Sequence, residues 1–262
     1  MKLLTALGLI GACAFVGSCA LYYFQQDRLL FIGAGSVTPP AHPRIQPVEH
    51  VVGGLHLRGV RVLASEGNTV LLYFGGNAEP VVYNAWPMLE LASVTAYLID
   101  YRGYGDSEGS ASEGALRDDA LAHFDWVRAQ HPGSRFVLVG RSMGCAMALH
   151  VAARRDVDGL VLISPFTSLR DVARLHLPWL PVGPLMKHPF DTLADARRID
   201  VEALVIAAEN DSVIPRRFTD EFVRTLPRRA DVRIVAGADH NDLMATALPW
   251  DWIRAYLREL PH

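Results

Sequence analysis

Hydrophobic positions divide the chain into an uninterrupted apolar opening and a body in which short apolar runs alternate with helical stretches. No charged residue occurs from Leu3 to Phe24. A run of about 20 apolar residues is long enough to cross a bilayer as a helix. Lys2 precedes the run and Tyr22, Tyr23 and Phe24 close it, as a cytoplasmic positive flank and an aromatic belt do. It has no polar stripe of the kind a core helix presents. The run reads as an uncleaved signal anchor that places the body on the non-cytoplasmic side. Two alternatives remain: lipoprotein processing at Cys19, behind Val16-Gly17-Ser18, and a secretory peptide cleaved near Ser18-Cys19-Ala20.

From Gly33 to His50 the prolines 39, 40, 43 and 47 recur without helical or strand periodicity, which predicts an extended linker. Beyond it, Leu55–Leu63 alternates as a half-buried strand does. Val70–Phe74, Val94–Ile99, Phe136–Val139, Leu160–Ile163 and Leu204–Ala207 are short, mostly apolar runs suited to strands covered on both faces. Between them, Ser112–Gln130 places Leu116, Ala120, Phe124 and Val127 at helical spacing, with Ser110 and Glu113 as a candidate capping box. Phe218–Leu226 and Asp242–Leu257 are also helical in pattern. Such alternation predicts an α/β fold, a mostly parallel sheet with helices on both faces. Ser164–Arg198 breaks the rhythm with five prolines and no strand pattern, and reads as a cap over a site. The expected organisation is an anchor or signal segment over residues 1–32, a linker over 33–50 and one α/β domain over 51–262, with the cap at about 164–198.

Composition narrows the function. Half of the residues are apolar, so one large core can be built, and a net charge of −3 gives no electrostatic footprint for nucleic acid. Three cysteines, two of them in the apolar run, make no disulfide framework. Neither His-Glu-x-x-His nor Cys-x-x-Cys occurs, and Gly103-Tyr104-Gly105 lacks the third glycine of a dinucleotide loop. No metal or cofactor is expected.

The chemistry-bearing motif is Gly140-Arg141-Ser142-Met143-Gly144. It lies between the strand run Phe136–Val139 and the helical Cys145–Ala153, the strand–turn–helix setting of a nucleophile elbow. A serine hydroxyl needs a base, and the base needs an orienting acid. Two later strand ends supply them in the order this arrangement uses: Asp211 follows Leu204–Ala207, and His240 follows Val232–Val235 and Gly237. Glu209, Asp239 and Asp242 are competing acids with poorer placement. The oxyanion of a tetrahedral intermediate needs two N–H donors. The expected donors are Met143, next to the nucleophile, and Asn77, in the loop Gly75-Gly76-Asn77 after the strand Val70–Phe74. Trp179, Leu180 and Leu185 of the cap are the expected acyl-side contacts.

With these residues assembled, the chain resembles the α/β-hydrolase superfamily and, more narrowly, bacterial membrane-anchored hydrolases of the serine-aminopeptidase-like group. The matching stretches are FQQDRLLF (Phe24–Phe31), LLYFGGNAE (Leu71–Glu79), DYRGYGDSEG (Asp100–Gly109), GRSMG (Gly140–Gly144), SPFTSLRDVA (Ser164–Ala173), ENDSVIP (Glu209–Pro215) and ADHND (Ala238–Asp242). Many relatives carry His-Gly where this chain has Gly75-Gly76. The resemblance implies esterase, thioesterase or depalmitoylase-like activity. The expected reaction is hydrolysis of a small-molecule or lipid-like carboxylic ester or thioester through an acyl-enzyme on Ser142. The alternatives are amide or peptide hydrolysis by the same three residues, and a non-catalytic envelope binding module on the same fold.

Overall fold

A computed structural model describes residues 2–260 of the chain. The apolar opening forms one helix, α1 (Lys2–Leu30). At 1.5 Å per residue it is about 43 Å long, long and apolar enough by length and composition to cross a membrane. The body follows as β1 (Ile45–Val52), β2 (Leu55–Val62), β3 (Thr69–Phe74), a single 3₁₀ turn at Val81–Asn84, α2 (Ala85–Leu89), β4 (Val94–Ile99) and α3 (Glu113–Gln130). Next come β5 (Arg135–Arg141), α4 (Met143–Ala152), β6 (Gly159–Ile163), α5 (Leu169–His176), α6 (Val182–Leu185) and α7 (Leu193–Ala196). The last elements are β7 (Ala203–Ala208), α8 (Arg216–Val223), β8 (Asp231–Val235) and α9 (Ala247–Glu259).

Among the described residues the strands form one sheet in the order β1-β2-β4-β3-β5-β6-β7-β8. The first two pairings, β1 with β2 and β2 with β4, are antiparallel; all the others are parallel. Every residue of β3, β6 and β7 is buried, the burial expected where helices cover both faces. The side chains of a strand alternate between faces. Leu72, Leu138 and Leu162 therefore join Leu116, Phe124, Leu149 and Phe222 of α3, α4 and α8 in one core. Leu71, Val137 and Val161 face the other way and join Met88, Trp250, Ile253 and Leu257 of α2 and α9. Each such large side chain, fully buried, contributes about 1.5–3 kcal/mol.

Three local outcomes differ from the sequence reading. Residues 45–50, assigned to the linker, belong instead to edge strand β1, registered from Ile45 opposite Val62 to Val52 opposite Leu55. Proline is tolerated on an edge strand, so Pro47 did not exclude it. Helix α3 is capped by Ser112, whose hydroxyl accepts the Ala115 N–H, and not by Ser110. Glu113 instead bonds Arg117 and accepts the Phe190 N–H. The third outcome concerns the proline-rich segment 164–198. It contains no strand, as expected, but part of it packs on the end of α1. Gln26 is 3% exposed. Its amide donates to the Leu185 carbonyl at 2.9 Å, and its Oε1 accepts the Lys187 N–H at 2.7 Å. Asp27 pairs with Lys187 and His188, and Phe31 meets the rings of His188 and Phe190 edge-on.

Candidate active site

Sheet register assembles the site. Phe74 of β3 lies opposite Gly140 of β5, so the loop Gly75–Asn77 leaves beside Arg141 and Ser142. Arg141 lies opposite Ile163 of β6, Ile163 opposite Ile206 of β7, and Ala208 opposite Val235 of β8. The segments that follow these strands carry Ser164, Asp211 and His240. All therefore emerge at the carboxyl edge of the parallel sheet, where sites form in such folds.

Ser142 stands between β5 and α4 with φ +50° and ψ −117°, a conformation that non-glycine residues rarely adopt. The glycines around it make the turn feasible. A Cβ on Gly140 would lie 2.6 Å from the Gly144 carbonyl oxygen, and one on Gly144 would lie 2.0 Å from that of Phe74. Strand and helix pass at distances that no side chain permits.

The Ser142 Oγ lies 3.1 Å from His240 Nε2, and His240 Nδ1 lies 2.8 Å from Asp211 Oδ2. Asp211 and His240 are both buried. The Asp211 carboxylate is held on each oxygen: Oδ1 accepts the N–H groups of Val213 and Ile214, and Oδ2 also accepts the Ser164 hydroxyl. The competing acids are engaged elsewhere. Asp239 accepts the N–H groups of Ser212 and His240 and the Ser212 hydroxyl. Hydrogen bonds from the Ser212 and His240 amides, with that hydroxyl, hold its pKa below the usual carboxylate value. Asp242 accepts the Asp239 N–H, and Glu209 accepts the Gly237 N–H.

Met143 directly follows the serine, and Asn77 lines the same cleft as Ser142. Met143 is the first residue of α4, so its N–H has no intrahelical acceptor. Gly76 is close enough that an added Cβ would lie 3.6 Å from Ser142 Cβ, which brings the backbone before Asn77 against the nucleophile. The Asn77 side chain donates to the Leu30 carbonyl and accepts from the Tyr104 hydroxyl.

A cleft of about 600 Å³ opens beside Ser142 and His240. Ile32, Tyr83, Val213 and Met244 supply its apolar wall, and Gly76, Asn77 and Arg141 are also on its surface. None of Trp179, Leu180 and Leu185 lines it. Trp179 is 59% exposed, Leu180 is buried, and the Leu185 carbonyl is taken by Gln26. The stretch from Leu185 to Phe190 packs instead against the end of α1.

Sequence reasoning missed a brace under the loop Gly75–Asn77. The Glu79 carboxylate accepts the Gly76 N–H at 2.6 Å, the Tyr73 hydroxyl at 2.8 Å and the Asn84 amide at 2.7 Å, and pairs with Arg141 at 3.1 Å. Arg141 reaches on to the His240 carbonyl. Burial, with Glu79 alongside, pushes the Tyr73 hydroxyl far above its ordinary value, so it remains a donor. An arginine inside the elbow motif and a glutamate three residues past Gly76 were the available signals. Cys145 is sealed beneath the elbow, where burial pushes its thiol up and leaves it inert as a nucleophile.

A mostly parallel sheet wrapped by helices, with a serine on a tight strand-to-helix turn at its carboxyl edge, is the architecture of an α/β hydrolase. Comparison with known proteins agrees. A family model described as serine aminopeptidase, S33, matches residues 84–187. A Mycobacterium tuberculosis protein, Rv2307c, described as uncharacterized, is 30% identical over 273 residues, spanning 99% of this chain and 97% of its own. The lysophosphatidylserine lipase ABHD12 of Gallus gallus is 32% identical over 250 residues; the match takes in 80% of this chain but only 63% of that protein. The solved Pyrococcus furiosus esterase PF2001 superposes with a TM-score of 0.67 over 87% of this chain and 96% of its own, at 17% identity, a likeness of fold. The chain belongs to the α/β-hydrolase superfamily.

Proposed function

We propose that the protein is a membrane-anchored serine hydrolase that cleaves a lipid-like carboxylic ester or thioester through an acyl-enzyme on Ser142. The observation that carries this reading is the hydrogen-bonded chain from Ser142 through His240 to Asp211, at 3.1 and 2.8 Å. In the reaction His240 Nε2 takes the Ser142 proton as Oγ attacks the acyl carbon. The imidazolium is stabilised by Asp211 and then gives that proton to the leaving alcohol or thiol. Water, activated by His240 in turn, releases the acid. The N–H groups of Asn77 and Met143 stabilise the oxyanion in both halves.

The substrate class is supported by the apolar wall of the cleft and by the lipase and esterase activities named for the relatives. An aminopeptidase would need an acid free to bind the substrate ammonium. Glu79 is the one carboxylate among the described residues lining the cleft, and Arg141, Tyr73 and Asn84 already engage it. The length and uncharged run of α1 support the anchor, with the catalytic domain on the non-cytoplasmic side behind Lys2.

Turnover of p-nitrophenyl acetate, butyrate and octanoate, beside the matching anilides, tests the assignment. Ester hydrolysis that disappears in Ser142→Ala is the expected result. Ester turnover that survives this substitution undiminished refutes the proposal, and faster turnover of the anilides moves the assignment to amides.

A further inference from the structure

The end of α1 does more than lead into the domain. The Leu30 carbonyl, in the last residue of the helix, accepts the Asn77 side-chain amide at 2.5 Å. The other end of that side chain, Oδ1, accepts the Tyr104 hydroxyl at 2.7 Å. Burial raises the Tyr104 hydroxyl well above its ordinary value, so it stays protonated and donates. Asn77 is thus gripped between the stem of the apolar helix and a tyrosine of the loop after β4. Further contacts fasten the same stretch of chain. The Gly105 N–H donates to the Ala34 carbonyl at 2.9 Å, and Ile32 forms part of the catalytic cleft. Farther up, Gln26 and Asp27 lock the stem to residues 185–188.

The backbone of Asn77 has no regular element to hold it. It lies between Gly76 and Ala78, and Ala78 has φ +57°. Glu79 braces the Gly76 side of this loop. The Asn77 side chain braces the other side, and its anchor point is Leu30.

We infer that Asn77 is a positioning residue through which the stem of α1 sets the oxyanion donor, so that catalysis depends on a docked stem even for a soluble substrate. The inference rests on the reading of the Asn77 N–H as an oxyanion donor. Neither end of the Asn77 side chain touches the reacting atoms; it acts through its own backbone. Oxyanion donors count only where they meet the developing charge, so a small displacement lowers kcat more than it alters substrate binding.

The test uses full-length protein in detergent micelles, with p-nitrophenyl acetate as substrate and a short trifluoromethyl ketone as tetrahedral-adduct inhibitor. Asn77→Asp is nearly isosteric and keeps the acceptor for Tyr104, but places an oxygen against the Leu30 carbonyl. The expected result is a fall in kcat of about 10- to 100-fold with KM nearly unchanged, and a matching loss of ketone affinity. Tyr104→Phe, which keeps the ring, should show the same pattern at smaller amplitude. Gln26→Ala, which loosens the stem, should lower kcat in the wild-type background and add little to Asn77→Asp, because both act through one connection. A folded Asn77→Asp protein with wild-type kcat and ketone affinity overturns the inference. If that variant does not fold, wild-type kcat in both Tyr104→Phe and Gln26→Ala overturns it instead. Absence of Ser142-dependent turnover in the wild type would overturn the underlying reading and the inference with it, whereas normal wild-type turnover beside an indifferent Asn77→Asp overturns the inference alone.

Discussion

Replacing Asp211 by asparagine changes one atom, and the structure dictates which way the new amide faces. Oδ1 of Asp211 accepts two backbone N–H groups, from Val213 at 3.1 Å and Ile214 at 2.6 Å. An amide NH₂ cannot occupy that side without meeting two donors, so the asparagine must keep its oxygen there. Its NH₂ then faces His240 Nδ1 and the Ser164 hydroxyl, where Oδ2 stood. The Ser164 hydroxyl can rotate to accept. His240 can accept at Nδ1 only by moving its proton to Nε2, and Nε2–H then points at Ser142 and cannot take its proton. The fold keeps its hydrogen bonds while the base is switched off. An acid-to-amide change with this effect costs about 10⁴ in kcat in a serine triad. The assay is the steady-state rate on p-nitrophenyl acetate, with a thermal melt to confirm folding. A folded Asp211→Asn protein within about tenfold of the wild-type kcat, far short of the loss expected for a wrong tautomer, would refute the argument. A crippled Asp239→Asn beside it would point to the other carboxylate.

Other outcomes follow from the same geometry. Gly144→Ala forces a Cβ to within 2.0 Å of the Phe74 carbonyl oxygen, and its other near neighbours are backbone atoms too. The cost should meet or exceed the roughly 1–3 kcal/mol of ordinary overpacking and appear as a Tm lower by several degrees; an unchanged Tm would contradict the elbow packing. Asp100 is raised to about 6 by burial, with Asp106 adding to it. A carboxyl raised in the folded state favours folding below its unfolded pKa, and that contribution is lost as pH rises through about 6. Asp100→Asn should therefore match wild type near pH 4 and be more stable by about 1–3 kcal/mol at pH 8, measured by denaturant melts; equal stability at pH 8 would count against it. Full-length protein should sediment with membranes and resist salt extraction, since a spanning helix is held by burial and not by surface charge. Cys19→Ser should leave this unchanged for an anchor and block maturation for a lipoprotein, and recovery in the soluble cytoplasmic fraction would refute both.

The parts of this molecule legible in its sequence are those whose cause is local. The runs at β3, β6 and β7 are wholly apolar because helices cover both faces, and that needs no knowledge of the partner. Gly140 and Gly144 mark the elbow because close passage leaves no room for a side chain. Order along the chain then singles out Asp211 and His240. What stayed hidden depends on contacts distant in sequence. Edge strand β1 is masked by Pro47, which only the sheet edge excuses. The Glu79–Arg141 brace joins a loop to a strand end about 60 residues away. The segment around Leu185 is apolar enough to need a cover, but nothing in its own residues says that Gln26, some 160 positions earlier, provides it. Asn77 was read for its backbone, and the hold of Leu30 on its side chain is equally long-range.

Every step of the proposed reaction turns on Ser142 as the nucleophile. Peptide mass spectrometry of the full-length protein after reaction with a fluorophosphonate tests it most directly. The expected result is a single phosphonyl adduct on the peptide containing Gly140–Gly144, fragment ions that place it on Ser142, and no adduct in Ser142→Ala. An unmodified wild-type protein, or an adduct on any other residue, would contradict it.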